Sequence, residues 1–474
     1  MPWSIAPRAV VLASLVVVSG AACGHSAKVA RQLPSAAAVD TERYRELVDA
    51  QVQPFLDAEL ISGLVIGLYN HGKTEIYGFG RGPGHGPPDG DTLFELGPIT
   101  ATYTELLLAD AVQRREVDFD SPVAELVPPG VTVPIRDKVA ITLKHLALHS
   151  SGLPAQPPSV VARGPSPDPY RGYGEDALYN DLIHTELDAV PGTQIAYSTL
   201  GLGLLGNVLG RKLGGYGKAL DARVLRPLGL TATFLAVPAA AAARRATGSD
   251  DDLATVTPWT FDALAAAGGL VSSARDQLRL IDAELDAAAG GTQGPLRRAL
   301  KLTQEPALDR SGNNEGMGWL IDGAGRYSQS GSSGGFHAFI GFDPKSGRGV
   351  VLLASTAIGL IDRLSDAMYR ILDGAPSAPV KFAGPTEFAE FAGSYDFSGA
   401  TLQVEAKGKR LYLNGPGEPP HRLLPLSDHE FWLEALQSLA VFERQDGKVT
   451  RLVFGSGDRR IAAPRTAAPR TAPK

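Results

Sequence analysis

The chain of 474 residues contains one cysteine, Cys23. A single cysteine can form neither an internal disulfide bond nor a cysteine-based zinc site. The folded part must therefore be held together by its hydrophobic core, which a chain of this length can supply. Long apolar runs are lacking as well, since the uncharged stretch from Ala9 to Ala22 is too short for a membrane span.

An excess of positive charge is also absent. The sequence has 45 lysines and arginines against 51 aspartates and glutamates, for a formal net charge of −6. Binding to phosphate backbones needs concentrated positive charge, and no basic stripe with interleaved aromatic residues is present. Nucleic acid is therefore not expected as a partner. The hydrophobic fraction of 44% and the charged fraction of 20% are those of an ordinary globular protein.

The N-terminus carries the pattern of an export signal. Arg8 precedes the uncharged stretch, and small residues follow it, as in a secretory signal peptide. Gly20-Ala21-Ala22-Cys23 resembles a bacterial lipobox, although the usual leucine is replaced by Gly20. We predict a signal peptide over 1–22, a lipidated Cys23 and a tether over 23–40, with a plain signal peptide cut nearby as the alternative. Either form leaves the cytoplasm, and the lipidated form is anchored at a bacterial membrane, facing the periplasm.

Hydrophobic patterning predicts an α+β main domain over 41–375. Alternating segments at 63–69 and 74–79 indicate strands near its beginning, and those at 335–342 and 349–354 indicate strands near its end. Between them, helical spacing predicts helices over about 99–113, 198–214 and 273–289. The proline-rich stretch 154–172 is expected to be irregular. The simplest arrangement is one antiparallel sheet with flanking helices and a helical subdomain.

A second, smaller domain is predicted over 383–462. Its short alternating segments are regularly spaced, which is typical of a small antiparallel β barrel or sandwich. The sequence Ala-Ala-Pro-Arg-Thr occurs twice near the C-terminus, at 462–466 and 467–471. Residues 463–474 are expected to be disordered, because they combine much proline with no apolar face.

Short motifs follow one another along the main domain. They are Thr92-Leu93-Phe94-Glu95-Leu96-Gly97, Ile141-Thr142-Leu143-Lys144-His145-Leu146, His149-Ser150-Ser151-Gly152-Leu153-Pro154, Pro191-Gly192-Thr193, Tyr197-Ser198, Leu200-Gly201-Leu202-Gly203-Leu204-Leu205-Gly206, Arg226-Pro227-Leu228-Gly229-Leu230, Gly268-Gly269-Leu270 and Gly331-Ser332-Ser333-Gly334-Gly335-Phe336. In this order and spacing they resemble the penicillin-recognising serine hydrolases, which include class C β-lactamases and D,D-peptidases. The resemblance covers about residues 41–373 and implies the β-lactamase/penicillin-binding-protein-like fold.

The resemblance also implies three catalytic motifs. A Ser-x-x-Lys at a helix start supplies the nucleophile and an amine that helps to deprotonate it. A Tyr-x-Asn supplies a proton-shuttling phenol and a substrate-holding amide. A Lys- or His-x-Gly on an edge strand orients the substrate carboxylate and helps to form the oxyanion hole.

All three motifs are altered in this chain. The first has Pro98 and Ala101 in place of serine and lysine, and proline lacks both a nucleophile and a backbone N–H. The second keeps Tyr197 but has Thr199 in place of the amide, and the third keeps Gly331 but has Gln329 in place of the cation. Loss of a nucleophile and its base can lower a rate by about 10⁶. We therefore predict an exported pseudoenzyme whose cleft, around Gly331, Ser332 and Ser333, binds a cell-wall peptide, another small molecule or a protein partner.

Two alternatives stay open. The first is a divergent serine hydrolase (esterase, D,D-peptidase or β-lactamase-like) in which Ser330, Ser332 or Ser333 replaces the nucleophile, with Tyr197 as the base. The second is an architectural protein with a filled cleft, in which the surface or the small β domain carries a protein contact. An open cleft lined by Tyr197 and Ser332 would favour the hydrolase or the ligand-binding pseudoenzyme.

Other residues that could act as nucleophiles or metal ligands have simpler interpretations. Ser333 fits Gly-x-Ser-x-Gly, but that elbow needs a helix after it, and the sequence favours a Gly/Ser turn entering an edge strand. His145 and His149 are spaced as on a zinc-binding helix but lack the accompanying glutamate. His337 is expected to be an ordinary strand-face histidine, and Thr100 and Thr102 to flank the nucleophile position on other helix faces. No metal and no cofactor is expected.

Overall fold

The structure is a computed structural model that describes residues 42–291, 293–306, 308–310, 313–417, 420–433, 438–455 and 460–466. The predicted signal peptide, Cys23 and the tether lie outside these residues. The α-helices are α1 (Arg45–Asp57), α2 (Thr100–Gln113), α3 (Leu143–Ala147), α4 (Pro158–Arg163), α5 (Glu175–His184), α6 (Thr199–Leu213), α7 (Tyr216–Leu220), α8 (Ala265–Gly268), α9 (Ala274–Ala288), α10 (Pro295–Thr303), α11 (Arg363–Leu372) and α12 (Pro385–Phe391).

In the described residues the strands form one large sheet, one closed barrel and two short pairs. They are β1 (Gly63–Asn70), β2 (Lys73–Gly80), β3 (Leu93–Glu95), β4 (Ile135–Arg136), β5 (Val139–Ala140), β6 (Val271–Ser273), β7 (Leu308–Arg310), β8 (Asn313–Glu315), β9 (Leu320–Ile321), β10 (Tyr327–Ser332), β11 (His337–Asp343), β12 (Arg348–Ala354), β13 (Gly393–Phe397), β14 (Ala400–Lys407), β15 (Arg410–Asn414), β16 (His421–Pro425), β17 (Glu430–Leu433), β18 (Ser438–Gln445), β19 (Lys448–Phe454) and β20 (Ile461–Thr466).

The main sheet is antiparallel and joins both ends of the main domain, as the sequence predicted. In the described part of the chain its order is β2-β1-β12-β11-β10-β9-β8-β7. The early strand β1 pairs with the late strand β12, with Leu64 opposite Ala354. The pairing therefore places residues near 65 beside residues near 350, which are far apart in the chain.

Side chains on the two faces of this sheet belong to different cores. Because successive side chains in a strand point to opposite faces, Leu64 and Ile66 pack towards α1 and α11, whereas Val65 packs on the other side. On that side Gly67 lies against α9, where a Cβ atom would be 3.1 Å from Leu278. Both faces of the sheet are thus covered by helices.

A helical subdomain lies beside the sheet and is built around α2 and α6. Helix α6 contains the Leu-Gly repeat, and a Cβ atom on Gly203 or Gly206 would lie 2.4 Å from Leu264 or 2.1 Å from Ala266. Glycine at these positions lets the segment containing α8 approach the helix closely. The repeat thus has a packing role in the subdomain.

The predicted small β domain is a closed barrel of the strands β13 to β20. Helix α12 precedes it and places Phe388 and Phe391 in the barrel core. The prediction of disorder from residue 463 is wrong for 463–466, since β20 pairs with both β13 and β19 and buries Ala463 completely. Barrel closure supplies the backbone partners that the local composition did not suggest. Residues 467–474 lie outside the described residues.

The barrel contacts the main domain through a buried arginine. Arg422 is 3% exposed and donates hydrogen bonds to the backbone carbonyls of Ala58 at 3.0 Å, Glu59 at 3.1 Å and Asp251. Burial lowers the pKa of its guanidinium from its ordinary value. Apolar contact adds to this anchor, because Leu424 belongs to the core that covers one face of the main sheet.

No helix within the described ranges combines the length and the apolar character needed to cross a membrane.

We predict that Arg422→Met lowers the free energy of unfolding by about 2–4 kcal/mol, because three half-buried backbone carbonyls lose a charged donor. The measurement is urea-induced unfolding of the full chain. The matched control is Arg451→Met, which removes an arginine that is 54% exposed and paired with Glu443, and which should cost less than about 1 kcal/mol. Equal losses in the two variants would contradict the anchoring role of Arg422.

Candidate functional site

The start of α2 lies directly against strand β10. Gly97 has a φ of +52°, and a Cβ atom there would be 2.8 Å from the carbonyl oxygen of Ser332. A Cβ atom on Gly331 would be 2.6 Å from the carbonyl oxygen of Leu96 and 2.8 Å from the ring of Pro98. The altered first and third motifs are therefore in direct contact, and only glycine fits at these two positions.

These two motifs and Tyr197 meet at a cavity of about 300 Å³. Of the predicted site residues, Pro98, Tyr197 and Gln329 line it, together with Ser330 and His149. The rest of its lining is Glu105, Ala147, Leu148, Gly316, Gly318, Trp319 and Leu320. Ala101, Thr199, Gly331, Ser332 and Ser333 are not among the described residues that line it.

The start of α2 holds no substitute for the missing nucleophile. Pro98 lies in a single 3₁₀ turn, Gly97–Ile99, that leads into the helix, and Ala101 is 2% exposed. The Thr100 hydroxyl accepts the backbone N–H of Leu270 at 3.1 Å, and the Thr102 hydroxyl donates to the carbonyl of Gly318 at 2.9 Å. Both threonines therefore serve to position the backbone around the cavity.

Tyr197 stands at the entrance of helix α6. The residue is 40% exposed, and its ring lies 4.6 Å from that of His149. Desolvation by the surrounding protein nevertheless raises the pKa of Tyr197 well above its ordinary value, and Tyr170 adds to the rise. A hydrogen bond with Thr199 lowers the pKa of Tyr197, but by less than burial raises it. Tyr197 is therefore a neutral phenol at neutral pH and a poor base.

The two residues after Tyr197 organise the helix start. Ser198 caps α6 by accepting the backbone N–H of Gly201 at 2.9 Å, and it donates to the carbonyl of Pro154 at 2.7 Å. Thr199 accepts a hydrogen bond from the side-chain amide of Gln156 at 3.3 Å. A network of neutral groups thus occupies the place where the resemblance implies a substrate-holding amide.

Gln329 occupies the position of the lost cation and is bound to the backbone. Its amide nitrogen donates to the carbonyl of Gly318 at 3.3 Å, and its amide oxygen accepts the N–H of Ser330 at 3.1 Å. No lysine or arginine is among the described residues that line the cavity, whereas Glu105, which is 1% exposed, contributes a carboxyl group. Glu105 lies in none of the sequence motifs, although its position one helical turn beyond Ala101 places it on the same side of α2.

The two histidines at i and i+4 have separate environments. His145 closes a capping box with Thr142 at the start of α3, and burial lowers its pKa. His149 has a φ of +52° and contacts Tyr197. No group of three or more histidine, cysteine, aspartate or glutamate residues that could hold a metal ion occurs in the described part of the chain.

Ser333 does not have the surroundings of a nucleophile elbow. It is 5% exposed, and its hydroxyl lies beside the carboxyl of Glu95. The turn that begins with it joins β10 to β11, so strands flank it on both sides. The prediction that this turn enters an edge strand is wrong, because β11 pairs with both β10 and β12. Strand β9 extends the sheet beyond β10 only at Tyr327 and Ser328, so residues 329–332 of β10 have no described strand partner on that side.

A second set of polar side chains lies at the end of the same hairpin. The Ser332 hydroxyl is 2.6 Å from Nδ1 of His337, and Nε2 of His337 is 2.8 Å from Oδ1 of Asp362. Sequence reasoning treated Ser332 and His337 separately and missed Asp362. A hairpin register through Gly334 and Gly335 would have placed Ser332 opposite His337, but no local pattern indicates Asp362.

The fold and the cavity together define the class of this protein. An antiparallel sheet between helices brings a helix start, a tyrosine ahead of α6 and a glycine-bearing strand to one cavity, which is the arrangement of the penicillin-recognising serine hydrolases. The sequence model of the family described as Beta-lactamase matches residues 31–375. The chain belongs to this family.

Curated relatives agree with this assignment. A β-lactamase of Pseudomonas fluorescens is 26% identical over 353 residues, which cover 66% of this chain and 93% of the relative. A β-lactamase of Escherichia coli K12 is 26% identical, covering 70% of this chain and 94% of the relative. The D-alanyl-D-alanine-carboxypeptidase/endopeptidase AmpH of the same strain is 25% identical, covering 62% and 78%.

Proposed function

We propose that this chain has lost hydrolysis at the catalytic site of the β-lactamase family and binds a ligand in the cavity around Pro98, Tyr197 and Gln329. The observation that carries the proposal is the replacement of serine by Pro98 at a helix start that retains its close packing against Gly331. Proline at the first helical position preserves the fold while removing both the nucleophile and one N–H donor.

The size of the expected loss in catalytic rate supports this proposal. Removing a nucleophile–base unit can lower a rate by about 10⁶, and removing one oxyanion donor by about 10²–10³. The neutral phenol of Tyr197 and the backbone-bound amide of Gln329 supply no charge to offset these losses. Because the cavity remains open, binding is better supported than a purely architectural role.

The lining of the cavity also bears on which ligand it accepts. Glu105 and the aromatic residues Tyr197 and Trp319 belong to the lining of the cavity, and its described lining includes no lysine or arginine. Such a site disfavours a carboxylate and favours an ammonium group, through a charge-assisted hydrogen bond and contact with aromatic faces. We propose a cell-envelope peptide bound through a free amine.

We predict that the full-length protein forms no adduct with benzylpenicillin at the family site. The measurement is intact-protein mass spectrometry with peptide mapping, and a catalytically intact β-lactamase of the same family serves as the positive control for labelling. A penicilloyl group mapped to any residue lining the cavity, Ser330 included, would overturn the proposal that hydrolysis at the family site has been lost.

We predict that L-lysyl-D-alaninamide binds and that its form acetylated on both amines does not. Glu105→Gln should weaken binding of the free dipeptide by about 10- to 100-fold, because a hydrogen bond between charged groups contributes about 1.5–3 kcal/mol. Titration calorimetry measures the affinities, and Glu175→Gln, on the exposed face of α5, is the control. Equal affinity for both peptides would count against the amine hypothesis.

We propose further that the protein is exported and held at a bacterial membrane by a lipid on Cys23. Cys23→Ser should move it from the membrane fraction to the soluble fraction, whereas Ser26→Ala should leave it in place. Fractionation of the native host followed by immunoblotting measures the distribution. Unchanged membrane retention of the Cys23 variant would contradict the lipid anchor.

A further inference from the structure

The hairpin β10–β11 carries a serine, a histidine and an aspartate in a continuous hydrogen-bonded chain. Ser332 Oγ lies 2.6 Å from His337 Nδ1, and His337 Nε2 lies 2.8 Å from Asp362 Oδ1. Ser332 and His337 face each other across the two strands. Asp362 is at the end of the 3₁₀ turn Gly359–Asp362 that precedes α11.

This chain lies on the opposite face of the sheet from the side chain of Gln329. In β11, Ala338 and Ile340 belong to the core on the α9 face, whereas Phe339 belongs to the core on the α11 face. His337 alternates with Ala338 and therefore shares the face of Phe339, as does its cross-strand partner Ser332. Gln329 is paired with Ile340 and lies on the α9 face. The two sets of side chains are separate.

The hydrogen bonds indicate which ring nitrogen of His337 carries the proton. An ionised carboxylate can only accept, so the Nε2–H of His337 must donate to Asp362. Nδ1 of the neutral ring is then a lone-pair acceptor for the hydroxyl proton of Ser332. These are the roles of a nucleophile, a base and an orienting acid in a serine triad, with the two ring nitrogens exchanged.

The exposure of the three residues is consistent with these roles. His337 is 5% exposed, the side chain of Asp362 is 34% exposed, and Ser332 is exposed. The imidazole is thus held inside, with its orientation fixed by Asp362, while the hydroxyl is open to a substrate. The loop at Gly359 lies beside the imidazole, since a Cβ atom there would be 3.6 Å from His337 Cε1, an ordinary van der Waals contact.

We propose that Ser332 is a nucleophile for short-chain carboxylic esters, with His337 as its general base and Asp362 as a positioning residue. Ser332 Oγ bonds to the acyl carbon while its proton passes to Nδ1 of His337. The ester C–O bond breaks, and the leaving alkoxide takes that proton. Water then attacks the acyl-serine with His337 again as base, releasing the acid and restoring the serine. This proposal is independent of ligand binding in the family cavity.

The test is labelling of the full-length protein with diisopropyl fluorophosphate. We expect loss of fluoride and one diisopropylphosphoryl group on Ser332, located by peptide mapping. Ser332→Ala should abolish the label, and Ser328→Ala, on the same strand, should not change it. No label on the folded wild-type protein, or an undiminished label in the Ser332 variant, would overturn the proposal.

The role of Asp362 is tested by hydrolysis of p-nitrophenyl acetate after subtraction of the Ser332→Ala background. Asp362→Asn should lower kcat by about 10²-fold or more with little change in KM, because the imidazole loses its orientation, and Asp362→Glu should restore part of the rate. Equal rates in the Asn and Glu variants with unchanged melting temperatures would assign Asp362 a purely structural role.

The two proposals fail separately. A penicilloyl group at the cavity would contradict the loss of family chemistry and leave the Ser332 experiment unaffected. An unreactive Ser332 would contradict only the second site, since binding of the lysyl peptide depends on Glu105.

Discussion

The close approach of β10 to the start of α2 is the contact on which the site depends. At Gly97 and Gly331 the two backbones are so near that any Cβ atom would overlap a carbonyl oxygen or the ring of Pro98. This contact sets one wall of the cavity and fixes which side chains of β10 can reach it. Since neither glycine takes part in chemistry through a side chain, the contact can persist after the catalytic residues around it have changed.

The residues that replace the catalytic ones are compatible with this contact between β10 and the start of α2. Pro98 suits the first turn of a helix because a backbone N–H at that position would have no hydrogen-bond acceptor within the helix. Ala101 is buried without a charge to compensate, and Gln329 satisfies both ends of its amide on the nearby backbone. A lysine at either position would bring a cation next to the carboxyl of Glu105. The residues present instead leave a cavity whose described lining combines a carboxyl with aromatic and neutral amide groups.

Much of the main domain follows from periodicity in the sequence. The predicted strands at 63–69, 74–79 and 349–354 lie within β1, β2 and β12, and the helix predicted over 273–289 matches α9 within one residue at each end. Local patterns were misleading where distant partners decide the structure. Ala463 is buried because β20 closes a barrel. The stretch 154–172, expected to be irregular, contains the short helix α4, which begins at Pro158, where proline is tolerated.

The candidate sites show the same division between local and distant information. Pro98, Tyr197 and Gln329 were found because each lies in a short motif, and the structure brings them to one cavity. Glu105 and Asp362 lie in no motif, and only the folded chain shows that they face the cavity or His337. The hairpin that supplies Gln329 to one face of the sheet supplies Ser332 and His337 to the other, since alternate residues of a strand face opposite ways. One rigid element can therefore lose chemistry on one face and present a hydrogen-bonded serine on the other without any change in the fold.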